Sequence, residues 1–419
     1  MREKVSVTDT GIQSSGLPRD YMEAVAEYIW NGFDAGASVI NIDFDTNEIG
    51  TINSLSISDN GSGIDFNQLK ETFGNFNDSI KKASFQKSSS VIKGNKGRGR
   101  FSFSAFSGKA VWKTVYQDNE GLSAYEIIIT RNTKDYFDPH NRRTVTNEPT
   151  GTTVTFYDLF EVSGFSFQSE EFKSFLIREY GWFLMLNREK EFQIRINGVP
   201  VSYQQLIAES DIDTLPIRDA EGKDNYFKIT FVRWSEKIGD KFFFYFLNSA
   251  QQEVFKDLTS FNNNAIGFYH SVYVESRYFD AFNPADTEQS QNLFEKTRHH
   301  STFKALMGHL HSLLRIRQKA FVDGEAAEKL VDVYDRNGIF PKFDDEQRKR
   351  ELLRVVKGMY CIEPRLFQGL NREQQRINVG LISLLLDAGK RTEIMKLMEQ
   401  VVHLTDEDRE QLQDVLHLK

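Results

Sequence analysis

Apolar residues recur at helical spacing from Tyr21 to Gly36, YMEAVAEYIWNGFDAG. At about 100° per residue, Met22, Val25, Ala26, Ile29 and Phe33 share one side of a helix, while Glu23, Glu27, Asn31 and Asp34 fall within roughly 80° on the other. Pro18 near the start and Gly36 just past the end bound it. The pattern then changes period. SVINIDFDTNE and LSISDNGSG alternate apolar and polar positions and predict two strands, the second ending in a glycine turn. Residues 64–100 carry Lys, Ser, Asn and Gly with little periodic apolar content, which marks a functional or disordered stretch. FSFSAFSGKAVWKTVYQ resumes a helix-like and then a strand-like pattern, and YEIIIT and TTVTFYDL predict further strands. A first domain of helices on a mixed sheet is expected over residues 1–165, led by a polar arm at 1–17.

A second α/β domain is expected over 166–333. It holds a helix, FKSFLIREYGWFLML, and then EFQIRINGVPVSY, where Asn197-Gly198 between alternating apolar residues predicts a hairpin. YFKITFVRW and DKFFFYFLN suggest a second hairpin across Ser235–Gly239. Phe303, Leu306, Leu310 and Leu313 follow at heptad-like spacing, as a helix packed on a sheet or, less simply, a dimer helix. Residues 334–419 read as all-helical, with Thr405 and Asp408 placed as a capping box. The fold class is therefore α+β with a helical C-terminal region.

Composition narrows the class. The chain has 419 residues, 39% hydrophobic and 13% aromatic, which is enough for real cores. A net charge of −8 gives no support for a general nucleic-acid surface, though a local patch stays open. The single cysteine, Cys361, rules out an intrachain disulfide and a cysteine metal cluster and fits a reducing compartment. With no apolar signal core and no run long enough to span a bilayer, a soluble cytoplasmic protein is expected.

Candidate chemistry lies in four short segments, in order: Glu27-Tyr-Ile-Trp-Asn31-Gly-Phe-Asp34-Ala35, Asp59-Asn-Gly61-Ser-Gly63, Gly94-Asn-Lys96-Gly97-Arg98-Gly99, and Gly151-Thr152-Thr153-Val154. Each alone has an ordinary reading, as a solvated helix face, a turn, a loop tip and a strand start. No GxxxxGK[ST] occurs, so the P-loop is absent; Gly108-Lys109-Ala110 lacks the hydroxyl. No HExxH-type spacing appears among the eight histidines.

Taken together and in this order, the segments resemble the GHKL ATPase family of gyrase B, the ninety-kilodalton heat-shock chaperones, sensor histidine kinases, MutL and the MORC proteins. The non-kinase chaperone-like and MORC-like branches fit best. The resemblance covers residues 27–154 and weakens past about 165, where the strand–NG–strand segment and the helix after it look like a transducer domain. It implies a Bergerat-type ATP site with Mg²⁺. Asn31 would be the metal ligand, through a neutral oxygen of the hard kind Mg²⁺ prefers. Glu27, one turn earlier, would be the base that activates water at the γ-phosphate. Asp59 would accept the exocyclic amino proton of adenine, with Gly61 and Gly63 allowing close approach and Thr152 bracing the carboxylate. Gly94, Gly97 and Gly99 would offer N–H groups to the phosphates, and Lys96, Arg98 and Arg100 positive charge. Asp34 matches the motif too, as a site residue or a helix-end residue.

Non-kinase members supply a second-domain cation to the γ-phosphate. Lys256, Arg277, Lys296 and Arg298 are the candidates here, and Lys296 stands where the chaperone pattern puts it. The resemblance further implies a lid at about 64–100, an ATP-dependent homodimer, and a protein or nucleic-acid client. Two rivals remain. One is a nucleotide-sensing module without turnover. The other is a protein-histidine kinase, against which stand the Glu27 motif and the lack of a histidine before it.

Overall fold

The alternating segments of the first half assemble into an eight-stranded mixed sheet in the computed structural model, which describes residues 17–70, 99–119, 121–259, 266–284, 296–343, 345–402 and 404–418. The described chain divides into two compact units. The first runs to Pro216 and takes in Lys223–Asp257 and Ser271–Thr297; the second comprises Ile217–Gly222, Leu258–His270 and Arg298 onward.

In the first unit, helix α1 (Tyr21–Asp34) starts at Asp20, whose carboxylate accepts from the Met22 N–H at 2.6 Å. Strands β1 (Val39–Thr46) and β2 (Ile52–Asp59) follow. A 3₁₀ stretch, Gly99–Ala105, leads into β3 (Ser107–Asp118), β4 (Gly121–Thr130), β5 (Asp138–Val145) and β6 (Gly151–Leu159). After a single turn at Gly164–Gln168 comes α2 (Glu170–Leu186), then β7 (Gln193–Ile196) and β8 (Val199–Pro200). The strand order is β5-β4-β3-β6-β2-β1-β7-β8. The β7–β8 pair is the hairpin expected at Asn197-Gly198, and both residues hold positive φ, 45° and 80°. Its first strand joins β1 in parallel, so the segment extends the first sheet.

One row of directly opposed residues crosses six strands: Tyr125, Thr114, Thr152, Asp59, Ile40 and Ile194. Neighbouring positions on this face, such as Trp112, Phe156, Ile57 and Ile42, are buried. Three polar side chains thus interrupt an apolar surface. Helix α1 is more buried than an amphipathic helix with one apolar side. Val25, Ile29 and Phe33 are covered as the pattern predicts, and so are Ala24, Tyr28 and Trp30, while Met22 is only half-buried. Helix α2 covers this second flank. Tyr180 Oη donates to the Ala26 carbonyl at 2.7 Å, and Trp30 Nε1 donates to Glu179 at 2.9 Å.

A second sheet of this unit has the order β12-β11-β13-β10-β9, formed by β9 (Ile207–Arg218), β10 (Asp224–Trp234), β11 (Phe243–Leu247), β12 (Glu253–Leu258) and β13 (Tyr269–Glu275). The hairpin expected across Ser235–Gly239 does not form. β13 lies between β10 and β11 and pairs with β11 in parallel. All but the first residue of β13 are buried, as suits a strand at the centre of the sheet. A two-stranded piece, β14 (Phe282–Asn283) with β15 (Lys296–Thr297), completes the unit.

The second unit is helical: α3 (Ser301–Phe321), α4 (Ala327–Arg336), α5 (Glu346–Ile362), α6 (Arg372–Asp387), α7 (Arg391–Val401) and α8 (Asp406–Leu416). On α3 the buried positions are Phe303, Leu306, Leu310 and Leu314, with Leu313 only partly covered. A straight helix turns every 3.6 residues, so the seam drifts one position from the heptad reading. Helices α4 to α8 close over a core that includes Tyr334, Leu352, Val356, Val379, Ile394 and Leu412. The expected capping box at Thr405 and Asp408 is present. Among the described residues, no helix is long and apolar enough to cross a membrane.

Candidate functional site

The site is built on α1 and the loop after β2. Asn60, in that loop, accepts through Oδ1 from the backbone N–H groups of Ser38 and Val39, each at 2.9 Å. The Ser62 N–H donates to the Ala35 carbonyl at the helix end at 2.9 Å. These bonds hold Asp59-Asn-Gly-Ser-Gly63 against the C-terminus of α1. Gly32 makes the close approach possible: a Cβ there would stand 3.0 Å from Asp59 Cβ and 2.4 Å from Ile40 Cδ1.

Asp59 lies at the end of β2, half-buried. Its Oδ1 accepts from the Gly61 N–H at 2.8 Å and the Thr152 N–H at 3.3 Å. Burial pushes its carboxyl above the usual carboxylate range, and these two backbone donors work against that rise. Thr152 comes from β6, directly across from Asp59 in register. The second and fourth sequence segments therefore meet.

The first and third segments meet at Gly99. A Cβ added to Gly99 would lie 2.6 Å from Glu27 Oε2 and 3.5 Å from Asn31 Nδ2. Tyr28 fixes this approach: its hydroxyl donates to the Arg100 carbonyl at 2.9 Å and accepts from the Phe103 N–H at 3.1 Å. The 3₁₀ stretch is thereby tied to α1. Arg100 is itself buried, its guanidinium 4.4 Å from the Phe101 ring centroid, and burial lowers its pKa to about 10. Glu27, Asn31 and Asp34 are half-buried, and Glu23 is exposed. Gly94, Lys96, Gly97 and Arg98 lie outside the described residues, as do residues 71–98 of the expected lid and 1–16 of the arm.

Lys296 sits in β15, with its ammonium 4.8 Å from the Tyr278 ring centroid. Lys256 pairs with Asp240 at 3.1 Å, beside the Phe243 ring. Neither belongs to the group gathered around α1 by the contacts above. Asn31 offers a hard oxygen donor next to a carboxylate, and that donor set suits Mg²⁺, which fills its remaining positions with water and phosphate.

Sequence reasoning missed four residues that shape the site: Tyr28, Gly32, Thr114 and Tyr125. A signal existed for Thr114. It falls between Trp112 and Tyr116 on the inward phase of β3, a polar residue at an apolar position. Tyr28 and Tyr125 carry no such mark, since a buried tyrosine reads as core.

Residues 20–152 match the family model described as histidine kinase-, DNA gyrase B-, and HSP90-like ATPase. No curated protein matches the chain. Among solved structures, the ATPase region of Saccharomyces cerevisiae topoisomerase II is 13% identical, with a TM-score of 0.36 over 61% of this chain and 72% of that one. The N-terminal domain of a DNA repair protein is 14% identical, with a TM-score of 0.36 over 73% and 96%. The Aquifex aeolicus MutL ATPase domain complexed with ADP is 14% identical, with a TM-score of 0.31 over 62% and 92%. Over residues 20–152, about a third of its length, this chain is similar to the histidine kinase-, DNA gyrase B- and HSP90-like (GHKL) ATPase superfamily.

Proposed function

We propose that this protein binds ATP with Mg²⁺ and hydrolyses it to ADP and phosphate. The observation that carries the reading is the pair of approaches at Gly32 and Gly99. Asp59 lies against Gly32 of α1, and Gly99 lies against Glu27 and Asn31 of the same helix, which supports a shared site. Asp59 recognises the adenine amino group. Its Oδ1 is held by two backbone N–H groups, which leaves Oδ2 to accept from the ligand. Asn31 holds the metal, which when bound neutralises phosphate charge. Glu27 orients the attacking water and takes its proton, with Gly99 close against its carboxylate. Gly61, Gly63 and Thr152 support the base site, Asp34 the helix end, and Gly94, Lys96, Gly97, Arg98 and Arg100 the phosphate loop.

On this reading residues 1–165, 166–333 and 334–419 act as nucleotide domain, transducer and helical adaptor, and Lys296 is the candidate γ-phosphate cation. Residues 64–100 close over ATP, two nucleotide domains pair, and hydrolysis reopens them around a protein or nucleic-acid client. Order brought by γ-phosphate contacts is a recognised switching device.

The test is Glu27→Ala, assayed for ATP binding and phosphate release separately. Binding should persist while hydrolysis falls by at least about 10²-fold, the lower end of a general base's contribution. A parent protein that binds ATP without turnover would instead make this a nucleotide sensor, and transfer of labelled phosphate to a histidine would make it a kinase.

A further inference from the structure

Thr114 belongs to none of the four sequence segments, yet it lies at the centre of the polar row. Its side chain is buried, 2% exposed, on β3 opposite Thr152. Its hydroxyl makes three contacts: 2.9 Å to the Ile64 N–H, 3.1 Å to Thr152 Oγ1, and 3.2 Å to the Gly151 carbonyl oxygen. A threonine hydroxyl has one proton and two lone pairs. The carbonyl of Gly151 can only accept, so for all three bonds to form together the Thr114 proton goes there. The N–H of Ile64 can only donate, so it takes one lone pair. The contact with Thr152 is then satisfied in one direction, with Thr152 donating its proton to Thr114.

This has a consequence for the base site. With its proton committed to Thr114, Thr152 keeps only lone pairs for a ligand. Asp59 beside it also offers only acceptors while ionised. We propose that Thr114 is a specificity-positioning residue: by capturing the Thr152 proton it makes the base-recognition edge acceptor-only, so that it takes purines with an exocyclic amino donor and rejects those with a carbonyl oxygen there. The inference rests on the ATP reading above and assigns a cause to base selection outside the motif.

The surroundings hold Thr114 to this task. Tyr125, its neighbour in the row on β4, donates to the Ile64 carbonyl at 3.0 Å. Thr114 and Tyr125 therefore bind both backbone groups of the residue that follows Gly63. Gly63 itself presses on β3, where a Cβ would stand 2.1 Å from the Val115 carbonyl oxygen. The loop carrying Gly61 and Gly63 cannot drift without breaking the bond that orients the Thr114 hydroxyl.

The experiment compares Thr114→Val and Thr114→Ser for ATP and GTP affinity, with thermal melts as a folding control. Valine keeps the shape and removes the hydroxyl. It frees the Thr152 proton to meet a carbonyl oxygen, so the preference for ATP over GTP should fall about tenfold, the equivalent of one hydrogen bond regained by the wrong base. Serine should restore the parent preference. In a Thr152→Val background, Thr114→Val should no longer change the ratio, because the hydroxyl it controls is gone. A ratio unchanged by Thr114→Val, equal weakening of both nucleotides, or failure of serine to rescue overturns the proposal while leaving ATP binding standing. A parent protein that binds neither nucleotide overturns both.

Discussion

Gly99→Ala tests the site where the 3₁₀ stretch meets the proposed base. The added methyl would lie 2.6 Å from Glu27 Oε2, about 0.8 Å inside the 3.4 Å at which ordinary contact begins. The obstructed atom is the end of a flexible side chain, which can move to make room for the methyl. The protein should fold with little change in stability, and the carboxylate should swing aside. Misplacing a catalytic group by 1 Å costs up to about 10²-fold in rate. A shift of this size should therefore lower the single-turnover rate of ATP hydrolysis by roughly 10- to 100-fold, at most about 2.7 kcal/mol of barrier. ATP affinity should move by less than about threefold, because the atoms nearest the methyl belong to Glu27 and Asn31 and not to Asp59 or its partners. The assay is phosphate release from pre-bound ATP, paired with a nucleotide titration. Combining Gly99→Ala with Glu27→Ala should be no worse than Glu27→Ala alone, since both act through one carboxylate. If Gly99→Ala turns over within threefold of the parent while binding ATP, the position of Glu27 does not govern the chemistry and the base assignment is refuted.

Two further outcomes follow from buried titratable groups. Asp59→Asn should raise the melting temperature of the nucleotide-free protein, because burial disfavours the Asp59 charge, while ATP affinity falls at least tenfold as an amide donor replaces an acceptor at the base; a lowered melting temperature with unchanged affinity would contradict both parts. His270 is fully buried, with Nδ1 at 2.9 Å from the Phe268 carbonyl oxygen and Nε2 at 3.0 Å from Thr259 Oγ1. Burial depresses its pKa from 6.5 to about 4. Its neutral form is favoured in the folded state, so the contribution is intact above pH 6.5 and is lost as pH falls toward 4, by roughly 3 kcal/mol in all. Urea denaturation at pH 7.5 and pH 5 should show this loss in the parent and a smaller one in His270→Gln, and equal slopes in the two proteins would rule it out.

Local order was readable along the chain because it depends on near neighbours. The helix over Tyr21–Asp34, the alternating strands β1, β2, β4 and β6, the Asn197-Gly198 turn and the Thr405 capping box each follow from spacing and residue type within about ten positions. The four segments were legible for a related reason: backbone close to a ligand needs glycine, and donors and acceptors are restricted to a few side chains.

What the sequence could not specify was which distant strand lies beside which. β13 separates β10 from β11 although the chain between those two is short, and α2 covers the flank of α1 that carries Trp30. Pairing of that kind is decided by the burial of whole faces. The same holds for the row in which Tyr125, Thr114, Thr152 and Asp59 stand side by side from four strands. Hydrogen-bond direction within that row depends on three-dimensional neighbours, since a hydroxyl proton points wherever an acceptor remains. Asp59 and Thr152 were written in the sequence; the partners that orient them came only with the sheet.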